Sequence, residues 1–283
     1  MRRNQPRPIA NRVVAITGGA RGIGLATATA LAREGARVAI GDLDGYLAIE
    51  AASTLGGGAI GLAVDVTDSV AFTAFLDEVE RQLGPLDVLI NNAGIMPTGP
   101  IEDENDAMTA RHLAINLHAV IHGTREAVRR MRPRGSGHIV NVSSAAGRVP
   151  GARAATYCAT KFGVAGFSEA VAQELHGSGV EISIVLPSLT NTELVSGLKS
   201  MRGLPWIEPD DVAARIVETL ERPRFEVPVP RAMGLVLKLN QILPFGARSA
   251  LARITKADTV LSDIDDAKRA AYVERLQRVK DRV

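Results

Sequence analysis

Arg12-Val13-Val14-Ala15-Ile16-Thr17-Gly18-Gly19-Ala20-Arg21-Gly22-Ile23-Gly24, leading straight into the Ala-rich run Leu25 to Glu34, is the stretch that decides the fold. An apolar run of strand length enters a glycine-rich turn, and the turn opens at once into a helix. This order leaves backbone N–H groups at a helix N-terminus, directed at an anion beyond the strand end. The spacing is Gly-x-x-x-Gly-x-Gly rather than the common GxGxxG. The strand-turn-helix context therefore carries more weight than the glycines alone.

The same alternation continues down the chain. Ala36 to Gly41 reads as a second buried strand ending at Asp42. A carboxylate there can accept hydrogen bonds from both ribose hydroxyls of an adenosine and would repel a 2′-phosphate. Arg21 pulls the other way, because a guanidinium beside the second glycine can pair with that phosphate. Asp42 opposes it directly, so the sequence favours NAD over NADP. Ala59 to Val64 is a third strand, and Thr67 or Asp68 is the natural N-cap of a helix stopped by Gly84-Pro85. Leu86 to Ile90 runs into Asn91-Asn92-Ala93-Gly94, where two amides can stabilise the sheet edge and leave room for a ligand. Met108 to Met131 has helical length and holds Asn116 between Ile115 and Leu117, an amide that needs partners if buried. Gly137 to Val142 delivers Ser143-Ser144, and Val180 to Leu186 ends at Pro187-Ser188-Leu189-Thr190-Asn191-Thr192. Six apolar strands alternating with helices specify an α/β, doubly wound parallel sheet covered on both faces. Ligands then sit at the strands' C-terminal ends.

On a helix from Ala154 to Leu175, Tyr157 and Lys161 stand one turn apart on one face. An unperturbed phenol ionises near ~10, and bringing it to about 7 needs roughly 4 kcal/mol. One ammonium at ~4 Å supplies about that much at an effective dielectric of ~20. The pair is thus a candidate acid-base in which Lys161 lowers the tyrosine pKa.

Composition sets the bounds. The 283 residues are 46% hydrophobic and 23% charged, which suits a globular chain. A formal charge of +2 without a reading motif points away from nucleic acid. Cys158 is the single cysteine, which excludes an internal disulfide and fits a reducing, cytoplasmic setting. It reads as a packing residue rather than a redox thiol. No metal site is expected, and His118 and His122, four apart, read as a solvated or interface pair. Arg125, Arg129, Arg130, Arg132 and Arg134 read as a solvated helix end. Residues 1–11 read as a flexible basic leader, 12–230 as the nucleotide-binding and catalytic domain, and 231–283 as a helical extension on the same domain or a neighbouring subunit.

Thr17 through Gly24, Asp65-Val66, Asn91 through Gly94, Asn116, Ser144, Tyr157-x-x-x-Lys161 and Pro187 through Thr192, in that order, resemble the short-chain dehydrogenase/reductase family. The likeness covers roughly Arg12 to Pro228. It implies a Rossmann sheet of about seven parallel strands, with Phe225 to Val229 last, and a nicotinamide cofactor. It implies Tyr157 as general acid-base, Ser144 on the substrate oxygen, Lys161 on both the tyrosine and the cofactor ribose, and Asn116 anchoring a water in a proton path. Cofactor contacts are implied for Gly18, Arg21, Gly22, Ile23, Gly24 and Asp42 around the first turn. Asp65 and Val66 would meet adenine; Asn92, Ala93 and Gly94 would line the cofactor with Tyr157 and Lys161, as would Pro187, Thr190 and Thr192. Ser188 stands where the family has Gly. The implied activity is an NAD-dependent alcohol dehydrogenase or ketone reductase, in a homo-oligomer (dimer or tetramer). A carbonyl or 3-oxoacyl-type reductase using NADPH is the neighbouring alternative, and a non-catalytic dinucleotide sensor on the same fold is the rival from another class.

The last third carries the substrate question. Ser196 to Trp206 reads as the segment covering a small-molecule substrate, and Pro209 to Leu220 as a helix. Gly234 to Phe245 is Leu-rich and is expected to serve an apolar substrate entrance (steroid, retinoid, lipid or xenobiotic), a subunit contact or a membrane surface. Asp265 to Arg282 reads as a charged, solvated helix, with a neighbouring chain as its alternative partner.

Overall fold

The computed structural model describes residues 6–198, 206–254 and 265–278. Its centre is a seven-stranded, all-parallel sheet of β1 (Val13–Thr17), β2 (Arg37–Asp42), β3 (Ile60–Ala63), β4 (Val88–Asn91), β5 (Gly137–Val142), β6 (Val180–Pro187) and β7 (Glu226–Val229). The spatial order is β3-β2-β1-β4-β5-β6-β7. The order reverses between β1 and β4, the switch point where a crevice opens beyond the strand ends.

Alternation along each strand sends side chains to two cores. Val14, Ile16, Val38, Ile40, Val88 and Ile90 meet α1 (Gly22–Arg33), α2 (Gly45–Leu55) and α7 (Pro209–Glu221) on one face. Val13, Ala15, Ala39 and Leu89 meet α3 (Ser69–Leu83), α5 (Ala119–Met131) and α6 (Ala155–Glu174) on the other. Parallel strands buried on both faces explain why their sequences read as unbroken apolar runs. Asp68, rather than Thr67, caps α3, its carboxylate accepting from Val70 N at 2.8 Å and Ala71 N at 3.1 Å.

Several expectations need correction. Residues 6–11 are not a free leader: Arg7 N donates to Glu221 O at 2.9 Å, its guanidinium pairs with Glu181 at 2.8 Å, and Ile9 is buried in the α1/α2/α7 core. The long helix expected over 108–131 is α4 (Asp106–Leu113), a π-helical turn over Ala114–His118, and α5. Such a turn widens the helix locally, and here it carries Asn116. The arginines at the end of α5 are not all solvated, because Arg130 is mostly buried and pairs with Asp77, Glu80 and Glu126. His122 is buried too, hydrogen-bonded to Thr73 at 3.2 Å and Arg125 at 2.9 Å, whereas His118 is exposed.

The C-terminal extension packs on its own chain. On α8 (Met233–Ile242), Met233 and Leu237 enter a core with Ile184, Leu186 and Ala165, while Leu235, Val236, Leu239 and Ile242 stay exposed. One side of this stretch thus backs the sheet and the other leaves an apolar stripe, which runs on to Phe245 at the start of α9 (Phe245–Ile254). The final helix, α10 (Asp266–Arg278), is not simply solvated, since Arg269 and Tyr272 are each only 4% exposed. Among the described residues no helix is long and apolar enough to cross a membrane.

Two glycines test how the layers are spaced. A Cβ on Gly61 of β3 would lie 2.1 Å from the Ala48 carbonyl of α2, whereas one on exposed Gly166 of α6 meets nothing within 4 Å. Gly61→Ala is therefore expected to destabilise by about 2 kcal/mol or more through overpacking. Gly166→Ala should stabilise by about 1 kcal/mol through helix propensity. Urea midpoints of the two variants should move in opposite directions.

Candidate active site

The C-terminal ends of β1, β4, β5 and β6 meet in one crevice, and hydrogen bonds among their own residues give it its shape. At β1, the turn after Thr17 requires left-handed backbone at Gly18 and Gly22 (φ 61° and 53°). A Cβ on Gly18 would lie 2.8 Å from Ala93 Cα, and one on Gly24 would lie 2.2 Å from Gly18 O. Asn92 closes the contact, donating to Thr17 O at 3.1 Å and Gly18 O at 2.9 Å. Its amide is thus a brace between the β4 end and the glycine turn. Helix α1 begins after Arg21 without a side-chain cap, so the N–H groups of its first turn, at Gly22, Ile23 and Gly24, are not covered by a neighbouring side chain. That combination of open donors and absent Cβ atoms fits a phosphate of a dinucleotide.

Asp42 ends β2 with one carboxylate oxygen on Ala20 N at 3.1 Å and the other on Asp44 N at 3.2 Å. Each oxygen keeps a lone pair, so the group is held in place with acceptor capacity to spare. Arg21 reaches across the crevice to Glu193, 3.3 Å away in the loop after β6. Gly22 faces the same loop, with Thr192 Cγ2 3.3 Å from where its Cβ would be. Asp65 turns back on Thr67, accepting from its N at 2.8 Å and Oγ1 at 2.7 Å, and Val66 is buried in the core. At the β6 end, Ser188 N donates to Val229 O at 2.8 Å, so the residue that replaces Gly continues the sheet beyond Pro187. Thr190 is buried with its hydroxyl on Ser188 O at 3.1 Å, and Thr192 donates to Thr190 O at 3.4 Å.

Tyr157 and Lys161 stand one turn apart on α6, both buried. Helix α6 is locked to β5 in both directions: Lys161 Nζ donates to Val142 O at 3.0 Å, and Ser143 Oγ donates to Lys161 O at 3.0 Å. The two serines take different jobs, as neighbours on a strand must. Ser143 is the lock, and the Ser144 side chain lies against the Tyr157 phenol. Lys161 Nζ is 5.7 Å from the centroid of the Tyr157 ring. Asn116, fully buried, accepts from Ile95 N and donates to Ile95 O, both at 2.8 Å. Gly94 lies between the two, its missing Cβ 3.4 Å from Asn116 Oδ1 and 3.7 Å from Lys161 Nζ.

The electrostatics correct one expectation. Burial raises the Tyr157 phenol far above its ordinary value, and only its contact with Ser144 opposes the rise. Lys161 does not bring it to neutrality: it too is buried, its ammonium is spent on Val142 O, and burial lowers its own pKa to about 8. Removing two groups from water outweighs their mutual help. Cys158, by contrast, behaves as expected, buried against Gly151 with its thiol pushed up by burial.

Sequence reasoning missed three residues. His112, one turn before Asn116, is fully buried, with Nδ1 3.6 Å from Glu104 Oε1; burial lowers its pKa, so it is neutral. Its neighbours gave no signal, since a lone histidine in a helix has no pattern. Arg269 and Tyr272 close on the loop after β4, with Tyr272 Oη accepting from Met96 N at 2.7 Å. Their spacing of three on a helix was the one available hint.

This sheet order, glycine turn and Ser-Tyr-Lys cluster define a doubly wound dinucleotide-type oxidoreductase site. The family described as short chain dehydrogenase matches residues 12–203, and the chain belongs to that family. It is 36% identical over 246 residues to 2-(S)-hydroxypropyl-CoM dehydrogenase 3 of Xanthobacter autotrophicus, covering 86% of this chain and 94% of that one. It is 41% identical over 192 residues to cis-4-hydroxycyclohexanecarboxylate dehydrogenase of Sinomonas cyclohexanicum, covering 67% and 77%. A short chain dehydrogenase/reductase from Burkholderia phymatum, solved in complex with NAD, shares the fold at a TM-score of 0.76 and 24% identity over 82% of this chain and 94% of that one.

Because Lys161 is buried with a lowered pKa, it costs stability wherever it is charged in the native state. Below about pH 8 it is protonated both folded and unfolded and the full cost applies; between pH 8 and its unfolded value the unfolded chain binds more protons, so stability rises. Lys161→Met should therefore be more stable than the parent at pH 7, by about 2 kcal/mol, with the gap closing as pH passes 8. Urea unfolding at pH 7 and pH 9.5 measures it.

Proposed function

We propose that the chain is a nicotinamide-dependent alcohol dehydrogenase or ketone reductase in which Tyr157 exchanges a proton with the substrate oxygen. The observation that carries this reading is the convergence of Tyr157, Ser144 and Lys161 beside an open α1 N-terminus and a pinned Asp42. When bound, the nicotinamide would give or take the hydride. Everything else falls to the protein's own residues. Tyr157, neutral through burial, holds a proton for a carbonyl oxygen; Ser144 shares that oxygen and stabilises its developing charge. In the reverse direction the phenol must first lose its proton, and the contact that favours its ionisation is the one with the Ser144 side chain. Asn116 and Gly94 border the route by which a proton would leave Lys161.

NAD is favoured over NADP because Arg21 is already paired with Glu193, and the Asp42 carboxylate, held at the end of β2, would repel a 2′-phosphate. The substrate is a secondary alcohol or its ketone with an apolar flank. The support is the wall beside Tyr157, where Met96, Ala154, Val195 and Leu198 pack with Leu189, Leu194 and Trp206. Residues 199–205 of the segment expected to cover substrate lie outside the described residues. One relative is named for 2-(S)-hydroxypropyl-CoM and another for cis-4-hydroxycyclohexanecarboxylate, so a carboxylate-bearing alcohol belongs in any test. A homo-oligomer in the cytoplasm remains part of the proposal.

Purified protein should oxidise cis-4-hydroxycyclohexanecarboxylate or another alcohol of a secondary-alcohol panel with NAD. Tyr157→Phe should lose at least about 10³-fold in kcat while binding NADH with unchanged affinity. Near-parental turnover in that variant sinks the mechanism, and tighter binding of NADPH than NADH sinks the cofactor assignment.

A further inference from the structure

We propose that Arg269 and Tyr272 of α10 are positioning residues that complete the substrate pocket by fastening its two walls together. The walls are the loop after β4, at Ile95-Met96, and the loop after β6, from Leu194 to Gly197. The proposal rests on the oxidoreductase reading only for where substrate lies.

Arg269 holds both loops with one planar group. Nη2 donates to Met96 O at 2.6 Å, and Nη1 donates to Ser196 O at 3.1 Å and Leu194 O at 3.4 Å. Tyr272 takes the other backbone group of the same residue, its hydroxyl accepting from Met96 N at 2.7 Å. The two side chains stack, with the guanidinium carbon 5.0 Å from the Tyr272 ring centroid. Asp265 N adds a bond to Gly197 O at 2.8 Å. Gly197 leaves room for this contact, since a Cβ there would lie 2.5 Å from Asp265 O.

A guanidinium this buried must have its fork satisfied, and a surface helix has no need to bury one. Here the fork reads backbone carbonyls of two loops whose side chains also meet in the cluster around Tyr157. Met96 is the link to chemistry, because its side chain packs in the cluster that contains Tyr157 and Cys158. Ile95, its neighbour, packs with Tyr272 and Ile115 and is bonded front and back by Asn116. The clasp therefore sets how far the Met96 wall stands from the Tyr157 phenol. Its reach stops short of the nucleotide side: Asp42, Asn92 and the glycine turn are held by their own bonds. The burial of Tyr272 also raises its own pKa to about 12, so the hydroxyl stays neutral across the working range.

The test uses full-length Arg269→Met, Arg269→Lys and Tyr272→Phe beside the parent, with NAD and the best alcohol of the panel. Arg269→Met should raise KM for the alcohol by about tenfold or more while the Kd of NAD, by calorimetric titration, changes less than about threefold. Amide exchange should speed up at Ile95-Met96 and at Leu194 to Leu198, and Arg269→Lys should recover part of both effects. Unchanged KM with unchanged exchange overturns the proposal, as does loss of NAD binding in step with a fall in Tm. If the parent turns over no alcohol, the functional reading fails while exchange still decides the clasp: acceleration confined to the two loops supports it, and none overturns it.

Discussion

The buried bond from the Lys161 ammonium to the Val142 carbonyl is the interaction on which the site depends. It fixes the last residue of β5 against the second turn of α6, and the return bond from Ser143 to the Lys161 carbonyl removes the remaining freedom. The approach is so close that a Cβ on Gly147 would lie 2.7 Å from both Lys161 O and Ser143 Oγ. Once that seam is closed, Ser144 and Tyr157 have little choice of position: one follows the strand by two residues, and the other precedes Lys161 by one helical turn. A charged group out of water is an expensive fastener. Its retention makes sense if the same cation is wanted beside the phenol.

A second constraint runs across the sheet's C-terminal edge. Asn92 ties β4 to the glycine turn, Asp42 ties β2 to Ala20, and Arg21 reaches over to Glu193 beyond β6. Side chains and backbone of the protein thus already satisfy one another around an open space. A ligand entering there meets donors and acceptors that need no reorganisation, and pre-organisation of this kind lowers the cost of binding. It also explains why so many of these residues are glycines and short polar types. Any longer side chain would fill the crevice it is meant to border.

The frame was legible in the sequence because its signals are local. Strand, glycine turn and helix follow one another within two dozen residues, and each apolar run declares a parallel strand buried on both faces. That only one of Ser143 and Ser144 can enter the site was legible for the same reason, since neighbouring strand residues face opposite ways, while the choice of Ser144 came from the family resemblance. The tyrosine's electrostatics were not. Spacing shows that Lys161 lies near Tyr157, but it shows neither how deeply both are buried nor that the ammonium is committed to Val142. Desolvation is a property of the packed molecule, and it reverses the sign of the shift. The π-turn at Asn116 was hidden as well, because one extra residue in a helix leaves the apolar stripe on both sides intact.

The least legible part is α10, and the reason is instructive. Read as a segment, Asp265 to Arg282 is charged, and charged helices belong on surfaces. What matters is a pair three residues apart, one of whose partners, Met96, lies more than 170 residues away in the chain and contributes only backbone. A backbone partner leaves no residue type to recognise, so the spacing of three in α10 had no counterpart in the other segment to point to. The same holds for Asn116 on Ile95 and for Asn92 on Thr17 and Gly18: in each case a side chain reads a peptide group rather than another side chain. Loops are free to change sequence while their peptides stay in place. A site braced in this way can alter the side chains of its walls without loosening the frame around Tyr157.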